Sequence, residues 1–339
     1  MNLFYTVNNA YAPQLGTAIC SVCENNRQVD SICFYIGVQN VSEENQHCLK
    51  ELTEKYRREI LFIPITNLRE SIGFDYDTTA WNEIVLARLL VDKLLPEDVE
   101  RVLYLDGDTI VLNSLEELWK TDMRGKPLGA CPEPTANQNR KKELGLQNLP
   151  YYNSGVLLID LTLWREQKIG ERIFKYYQEH DGRLFAPDQD AINGALVGEI
   201  HMLSPKYNYF NVFWYYPYKI LVHIQKPVPF VTVEEFKQIQ ESPCIIHFLG
   251  EDRPWREGNT HRYSEDYLKY LSMTPWKNIP LEEGWELYFK FYGAYWKWLK
   301  PLPMLQYRIM DVLIPWVLKK RARRNKNDSN TVKTPEPGG

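Results

Sequence analysis

No uninterrupted apolar run in this 339-residue chain reaches the roughly 20 residues that a membrane-spanning helix needs. Its start, MNLFYTVNNAY, lacks the basic n-region and apolar core of a secretory leader, and reads instead as a first β-strand. Cysteine is sparse: Cys20, Cys23, Cys33, Cys48, Cys131 and Cys244 are no disulfide framework for a chain of this size. Cys20 and Cys23 form a C-x-x-C, but they fall in a helical segment with no second pair to match, so buried thiols are expected. No internal repeat is visible, so a solenoid is not expected. A large excess of one charge sign is also missing, since the net charge is −4.

That small total conceals an asymmetry. Between Lys290 and Lys326 stand ten basic residues and a single acid, Asp311, a local net of +9. The remainder therefore carries −13, which argues against nucleic acid as a partner of the main domain. Hydrophobic residues at 44% and charged residues at 25% are ordinary for a globular chain long enough for one large domain plus an appendage. Aromatics are plentiful, with 22 Tyr, 13 Phe and 10 Trp. They suit sugar faces, cores and membrane interfaces alike, so they decide nothing alone.

Up to residue 112 the pattern alternates between strand and helix. Strands are expected at 3–7, 32–38, 60–65 and 101–105, and helices at 13–25, 43–58 and 79–95. That order implies an α/β fold with a mostly parallel sheet covered by helices, in which ligands gather beyond the carboxyl ends of the strands. A short strand at 110–112 follows. Ser114 and Glu117 then fit a capping box, and residues 127–131 form a further strand. The polar segment 132–152 reads as a binding loop. Beyond it come a strand at 156–159, helices at 162–180 and 188–197, aromatic strand-and-loop over 201–232, and a strand within 244–250.

Asp106-Gly107-Asp108 closes the fourth strand. Two carboxylates at i and i+2 around a glycine can approach one hard divalent cation, which can hold a diphosphate. An isolated Asp-x-Asp is weak, because exposed turns are rich in aspartate. Its place at a strand end, together with His247 and Asp188-Gln189-Asp190 further on, points to transfer of a sugar from a nucleotide diphosphate.

The ordered set of motifs resembles glycosyltransferase family 8, the retaining enzymes of GT-A fold, and within it the bacterial lipopolysaccharide galactosyltransferase and glucosyltransferase branch. The matching pieces are 3–11, Ala87-Arg88-Leu89, 102–108, Leu128-Gly129-Ala130-Cys131, 152–160, Asp188-Gln189-Asp190 with Asn193-Gly194, and 247–250 with Arg253-Pro254-Trp255. The resemblance implies a Rossmann-like GT-A catalytic domain over 1–275. Asp106, Asp108 and His247 would bind Mn²⁺, with Mg²⁺ the alternative, because imidazole is a borderline ligand. Asn8, Asn9, Arg88, Gly107, Asn153, Gly250 and Arg253 would line the UDP-sugar site. Asp188 would bind a sugar hydroxyl, Gln189 would lie near the anomeric carbon, Asp190 would be the nearby carboxylate, and Glu133 would face the acceptor.

Two departures stand out. The family usually has an aspartate where Asn8 and Asn9 stand, and a lysine where Arg253 stands. Arginine keeps the charge but changes the hydrogen-bond fork. The implied reaction moves galactose or glucose, with α linkage, to a cell-surface glycan or glycolipid. A nucleotidyltransferase of similar layout would favour a glycine-rich basic loop after the first strand, and none is present. An inactive carbohydrate-binding or membrane-scaffold protein is the non-enzyme alternative, favoured by Asn8 and Asn9 and opposed by Asp106, Asp108, Gln189 and His247.

Residues 276–326 form a helical appendage. Within 285–326 the aromatics, the apolar positions and the closing lysine and arginine cluster have the character of interfacial helices on anionic lipid. The resembled branch has such a tail on the cytoplasmic face of the cell membrane, which implies peripheral attachment there. Residues 327–339 are expected to be a disordered tail.

Overall fold

Strands whose alternate residues are apolar on both faces must be covered on both sides, and the central strands of this chain meet that condition. In β1 (Asn2–Asn8), Leu3, Tyr5 and Val7 enter one core while Phe4 enters the other. A computed structural model of the chain describes residues 1–78, 81–226 and 230–331, with side chains through residue 322. The other strands are β2 (Cys33–Gln39), β3 (Glu59–Pro64), β4 (Arg101–Leu105), β5 (Thr109–Val111), β6 (Leu128–Pro132), β7 (Tyr152–Asp160), β8 (Ile200–Met202) and β9 (Ile245–His247). Among the described residues, seven form one sheet in the order β3-β2-β1-β4-β7-β6-β8, and β5 pairs with β9 in a second. Only β7 runs against its neighbours in the large sheet. The expected mostly parallel α/β architecture is the one observed. All six cysteines are free, and Cys20 and Cys23 are buried in helix Ala12–Asn25.

Several local expectations need correction. Ser114 and Glu117 form no capping box: Ser114 Oγ accepts from the Glu116 amide and from Gln28, while Glu117 takes Lys206 at 2.7 Å instead. The 79–95 helix begins at Glu83, where Asn82 caps Ile84, and winds as a 3₁₀ helix to Leu90 before one α-helical turn, Val91–Leu94; residues 79 and 80 lie outside the described residues. The single helix expected over 162–180 is two, Leu161–Glu166 and Ile169–Glu179, separated where Lys168 turns to φ 52°. The 201–232 segment holds helices Val212–Tyr215 and Tyr218–Gln225 where strand and loop were expected: Phe213 is buried from the first, and Leu221 and Ile224, three residues apart, from the second. The 132–152 segment contains helix Gln138–Glu143 over a small core of Ala136, Leu144, Leu146 and Tyr151. The last helix, Pro303–Thr331, runs five residues into the expected disordered tail, since no glycine or proline follows Pro315 until Pro335; residues 332–339 lie outside the described residues.

Candidate active site

The main chain leaves the large sheet at Leu105, and the next two carboxylates are presented beyond its carboxyl end. Asp106 keeps one strand-like bond, donating its amide to Gly155 O at 2.8 Å. The turn then enters β5, whose antiparallel register with β9 sets Thr109 opposite His247. This second sheet returns a residue 139 positions later in the chain to the acidic turn. His247 Nε2 lies 3.7 Å from Asp106 Oδ2 and 3.3 Å from Asp108 Oδ1. One ligand atom from each residue falls within 4.8 Å of the others, so the trio can hold a metal ion.

The imidazole is oriented by a directional chain. Asn208 Oδ1 lies 2.9 Å from His247 Nδ1, while its Nδ2 donates to Asn153 Oδ1 at 2.8 Å. Asn153 Nδ2 donates in turn to Glu133 Oε2 at 3.1 Å. Because the Asn208 oxygen must accept, Nδ1 carries the proton and Nε2 presents its lone pair toward the carboxylates, the arrangement metal ligation requires. Two hard oxygens and one imidazole nitrogen fit Mn²⁺ or a similar divalent ion.

Gly155 makes this approach possible. A Cβ there would stand 2.2 Å from His247 Cε1, 2.7 Å from its Nδ1 and 2.8 Å from Asp106 Oδ2. The Gly155→Ala variant should therefore displace the ring and weaken Mn²⁺ affinity by about tenfold or more. Titrating Mn²⁺ into wild type and variant by calorimetry checks this, and equal affinities would refute it.

Arg88 sits behind the acidic turn at 4% exposure. It pairs with Asp106 at 2.8 Å and Asp188 at 3.3 Å, donates to Ser154 O at 2.8 Å, and lies 4.5 Å from the Tyr104 ring centroid. Tyr104 OH donates to Asp106 Oδ1 at 2.7 Å. Burial raises the Asp106 carboxyl above its ordinary value, against the pull of Arg88. Burial also acts on Asp108, but the neighbouring His247 and the Arg253 charge outweigh it and hold that carboxyl below its ordinary value. Arg253 stands 3.7 Å from Asp108 Oδ2 and donates to Tyr11 OH.

Across from the acidic turn, helix Pro187–Ala195 opens with proline at its first position and buries Asp188, Gln189 and Asp190. Asp188 Oδ2 accepts from Ser154 Oγ at 2.7 Å. Gln189 is held at both ends: Oε1 accepts from the Ser154 amide at 3.1 Å, and Nε2 donates to Glu133 Oε2 at 2.9 Å and Tyr151 OH at 3.0 Å. Asp190 meets this group only through Tyr151. Its Oδ1 accepts from Arg140 and Tyr151, and its Oδ2 from the Ala186 amide.

At the carboxyl end of β1, Asn8 caps the following turn by accepting from the Tyr11 amide at 3.2 Å. Asn9 Oδ1 is occupied by the Ser42 amide and Asn45 Nδ2. Gly107 and Gly250 face open space, and Gly250 has φ +72°. Sequence reasoning missed Asn208, Tyr104, Tyr151 and the Arg140–Asp190 pair. Tyr104 had a signal, since it precedes Asp106 by two and so shares its strand face. Asn208 had none: it reaches His247 only because Tyr209 bridges to β9.

The mostly parallel sheet with a possible metal-binding trio beyond its carboxyl end has the architecture of the GT-A fold of glycosyltransferases. The chain belongs to Glycosyl transferase family 8, which it matches over residues 2–259. General stress protein A of Bacillus subtilis is 28% identical over 285 residues, covering 82% of this chain and 96% of that protein. The lipopolysaccharide 1,2-glucosyltransferase of Escherichia coli strain K12 is 26% identical over 285 residues, covering 82% and 79%. Galactosyltransferase LgtC, solved in complex with donor and acceptor sugar analogs, shares the fold with a TM-score of 0.70 at 23% identity, covering 84% of this chain and 99% of that one.

Proposed function

We propose that this transferase moves a hexose, galactose or glucose, from a UDP-sugar to a hydroxyl of a cell-surface glycan or glycolipid, retaining the α configuration. The observation that carries this reading is the convergence of the Asp106–Asp108–His247 trio and Arg253 on one side with Asp188, Gln189 and Asn153 on the other. Asp106, Asp108 and His247 Nε2 would hold Mn²⁺, which supplies counter-charge to the departing diphosphate. Arg253 adds a second cation on that side, and Asn8 offers a neutral amide to the uracil in place of the usual aspartate. Asp188 and Asn153 bind sugar hydroxyls, which an amide can serve as donor and acceptor.

The acceptor hydroxyl attacks from the face that UDP leaves, and a diphosphate oxygen takes its proton. Gln189, fixed at both ends of its amide, stabilises the oxocarbenium-like centre. The bonding of the two neighbouring carboxylates supports this front-face course. Asp188 is engaged by Arg88 and Ser154, and Asp190 by Arg140, Tyr151 and Ala186, so neither is poised as a nucleophile. Glu133, bonded to both Asn153 and Gln189, faces the acceptor side. The test is UDP release from UDP-galactose and UDP-glucose with Mn²⁺ and with chelator, followed by NMR of the product's anomeric proton. Metal-dependent release and an α product are expected. A β product would sink the retaining assignment, and tight UDP binding without release or transfer would favour an inactive binding protein.

The same reading places the enzyme on an anionic membrane surface at the inner face of the cell membrane. Among the described residues no helix is long and apolar enough to cross a membrane. Helix Pro303–Thr331 instead leaves Val312 74% and Trp316 59% exposed, followed in the chain by Lys319 and Lys320. Apolar side chains entering the headgroup region beside cations favour binding in the interfacial plane. Each cation near such a surface contributes about 1 kcal/mol. The double variant Val312→Glu with Trp316→Glu should lose flotation with anionic liposomes at low salt, while wild-type flotation should weaken as salt rises. Equal flotation of both proteins would refute this surface.

A further inference from the structure

Asp311 is the one acid among the ten cations between Lys290 and Lys326, and its partner lies in the catalytic domain. Asp311 Oδ1 accepts from Asn137 Nδ2 at 2.8 Å, across 174 residues of sequence. Asn137 is the N-cap of helix Gln138–Glu143, its Oδ1 accepting from the Arg140 amide at 2.8 Å. The guanidinium of Arg140 lies 4.8 Å from the Tyr151 ring centroid and 4.5 Å from that of Phe185, and donates to Asp190 Oδ1 at 2.6 Å. Tyr151 OH donates to the same oxygen at 2.7 Å and accepts from Gln189 Nε2 at 3.0 Å. Every step from Asp311 to Gln189 is thus a short hydrogen bond or a covalent turn.

A second tie runs beside the first. Tyr307 OH donates to Thr135 O at 3.3 Å, and Gln306, on the same helix, is 1% exposed. The inner face of the C-terminal helix is therefore seated on the 132–152 segment while Val312 and Trp316 face outward. A helix of six residues has too few internal bonds to hold its own place. Gln138 and the buried Lys141 tie this helix to the carbonyls of Ile224, Gln225 and Lys226, and Asn137, held by Asp311, fixes its first turn, where the Arg140 amide is capped.

We infer that Asp311 is a positioning residue for sugar transfer, acting through Asn137 and Arg140 to hold Tyr151 against Gln189. The C-terminal helix then belongs to the catalytic unit as well as to the proposed membrane surface. This inference rests on the hexosyl-transfer reading, and its test separates the two.

The experiment compares full-length wild type, Asp311→Ala and Asp311→Asn with Mn²⁺ present. It measures kcat, the KM for the UDP-hexose and hydrogen exchange of residues 133–151. The alanine variant should lose about tenfold in kcat, with the donor KM within about twofold of wild type. Exchange should quicken across 133–151 and stay unchanged around Asp106 and Asp108. The asparagine variant, whose amide oxygen can accept the same bond, should recover most of both effects. Wild-type kcat and exchange in the alanine variant would overturn the inference, as would equal losses in both variants. Absence of UDP release by wild type would instead overturn the transferase reading, and the exchange data would then decide the tie by themselves.

Discussion

Replacing Asp108 by alanine should leave a folded protein whose turnover falls by about 10²–10³-fold. The carboxylate makes few contacts that hold the fold: His247 Nε2 at 3.3 Å and Arg253 at 3.7 Å, on a side chain 15% exposed. Its chemical contribution is larger. The leaving diphosphate accumulates negative charge as the glycosidic bond opens, and a cation held by two carboxylates and an imidazole is the counter-charge proposed for it. Removing one ligand from three also frees His247 Nε2 from its nearest carboxylate, so metal affinity should fall with turnover. UDP release over a range of Mn²⁺ concentrations, alongside thermal unfolding, measures both effects. Transfer by the purified variant at near wild-type rate would show that the metal site has been assigned to the wrong residues.

Arg88→Ala should produce the largest loss of stability. The guanidinium pairs with two carboxylates at once, Asp106 at 2.8 Å and Asp188 at 3.3 Å, at a position only 4% exposed. Deleting one member of a buried ionic cluster strands the charges that remain, at a cost of about 3–5 kcal/mol. The sign of the pH effect follows from Asp106. Burial already raises its carboxyl, and Arg88 is the charge that opposes the rise. Without Arg88 its folded pKa should climb further above the unfolded value. The folded state then holds a proton that the unfolded state releases, so the variant's deficit should deepen as pH rises from the acid range toward neutrality. Urea unfolding of wild type and variant at pH 5 and pH 8 tests this. A cost below about 1 kcal/mol at both values would mean that the cluster is solvated and not buried in effect. Adding Asp106→Asn should recover part of the loss, because one stranded charge is then gone.

Much of this protein was legible in the order of its residues. Strand and helix alternation needs only local periodicity, and the apolar residues of β1, β4 and β7 alternate between two cores just as strands covered on both faces require. Asp106 and Asp108 could be read as a metal-binding pair because both follow one strand within three residues. The helical opening at Pro187 and the cationic end of the chain were local signals of the same kind. What failed locally failed for a tertiary reason. Glu117 has the spacing of a capping box, yet its carboxylate pairs with the distant Lys206, and the aromatic 201–232 segment coils into helices whose large side chains fill a core.

Tertiary structure alone decided the rest. Nothing near Tyr207 in the sequence marks Asn208 as the residue that fixes the His247 tautomer, since the two meet through the pairing of Tyr209 with β9. Asp190, adjacent to Gln189 in sequence, is separated from it in role, because consecutive residues on a helix point about 100° apart and Arg140 captures one of them. The lone acid Asp311 could be counted in the sequence, but its hydrogen bond to Asn137 exists only once the last helix is packed on the 132–152 segment. Composition and local spacing determine which elements form and which residues can do chemistry. Which of those residues face one another is set by long-range pairing, where each contact depends on every element packed between them.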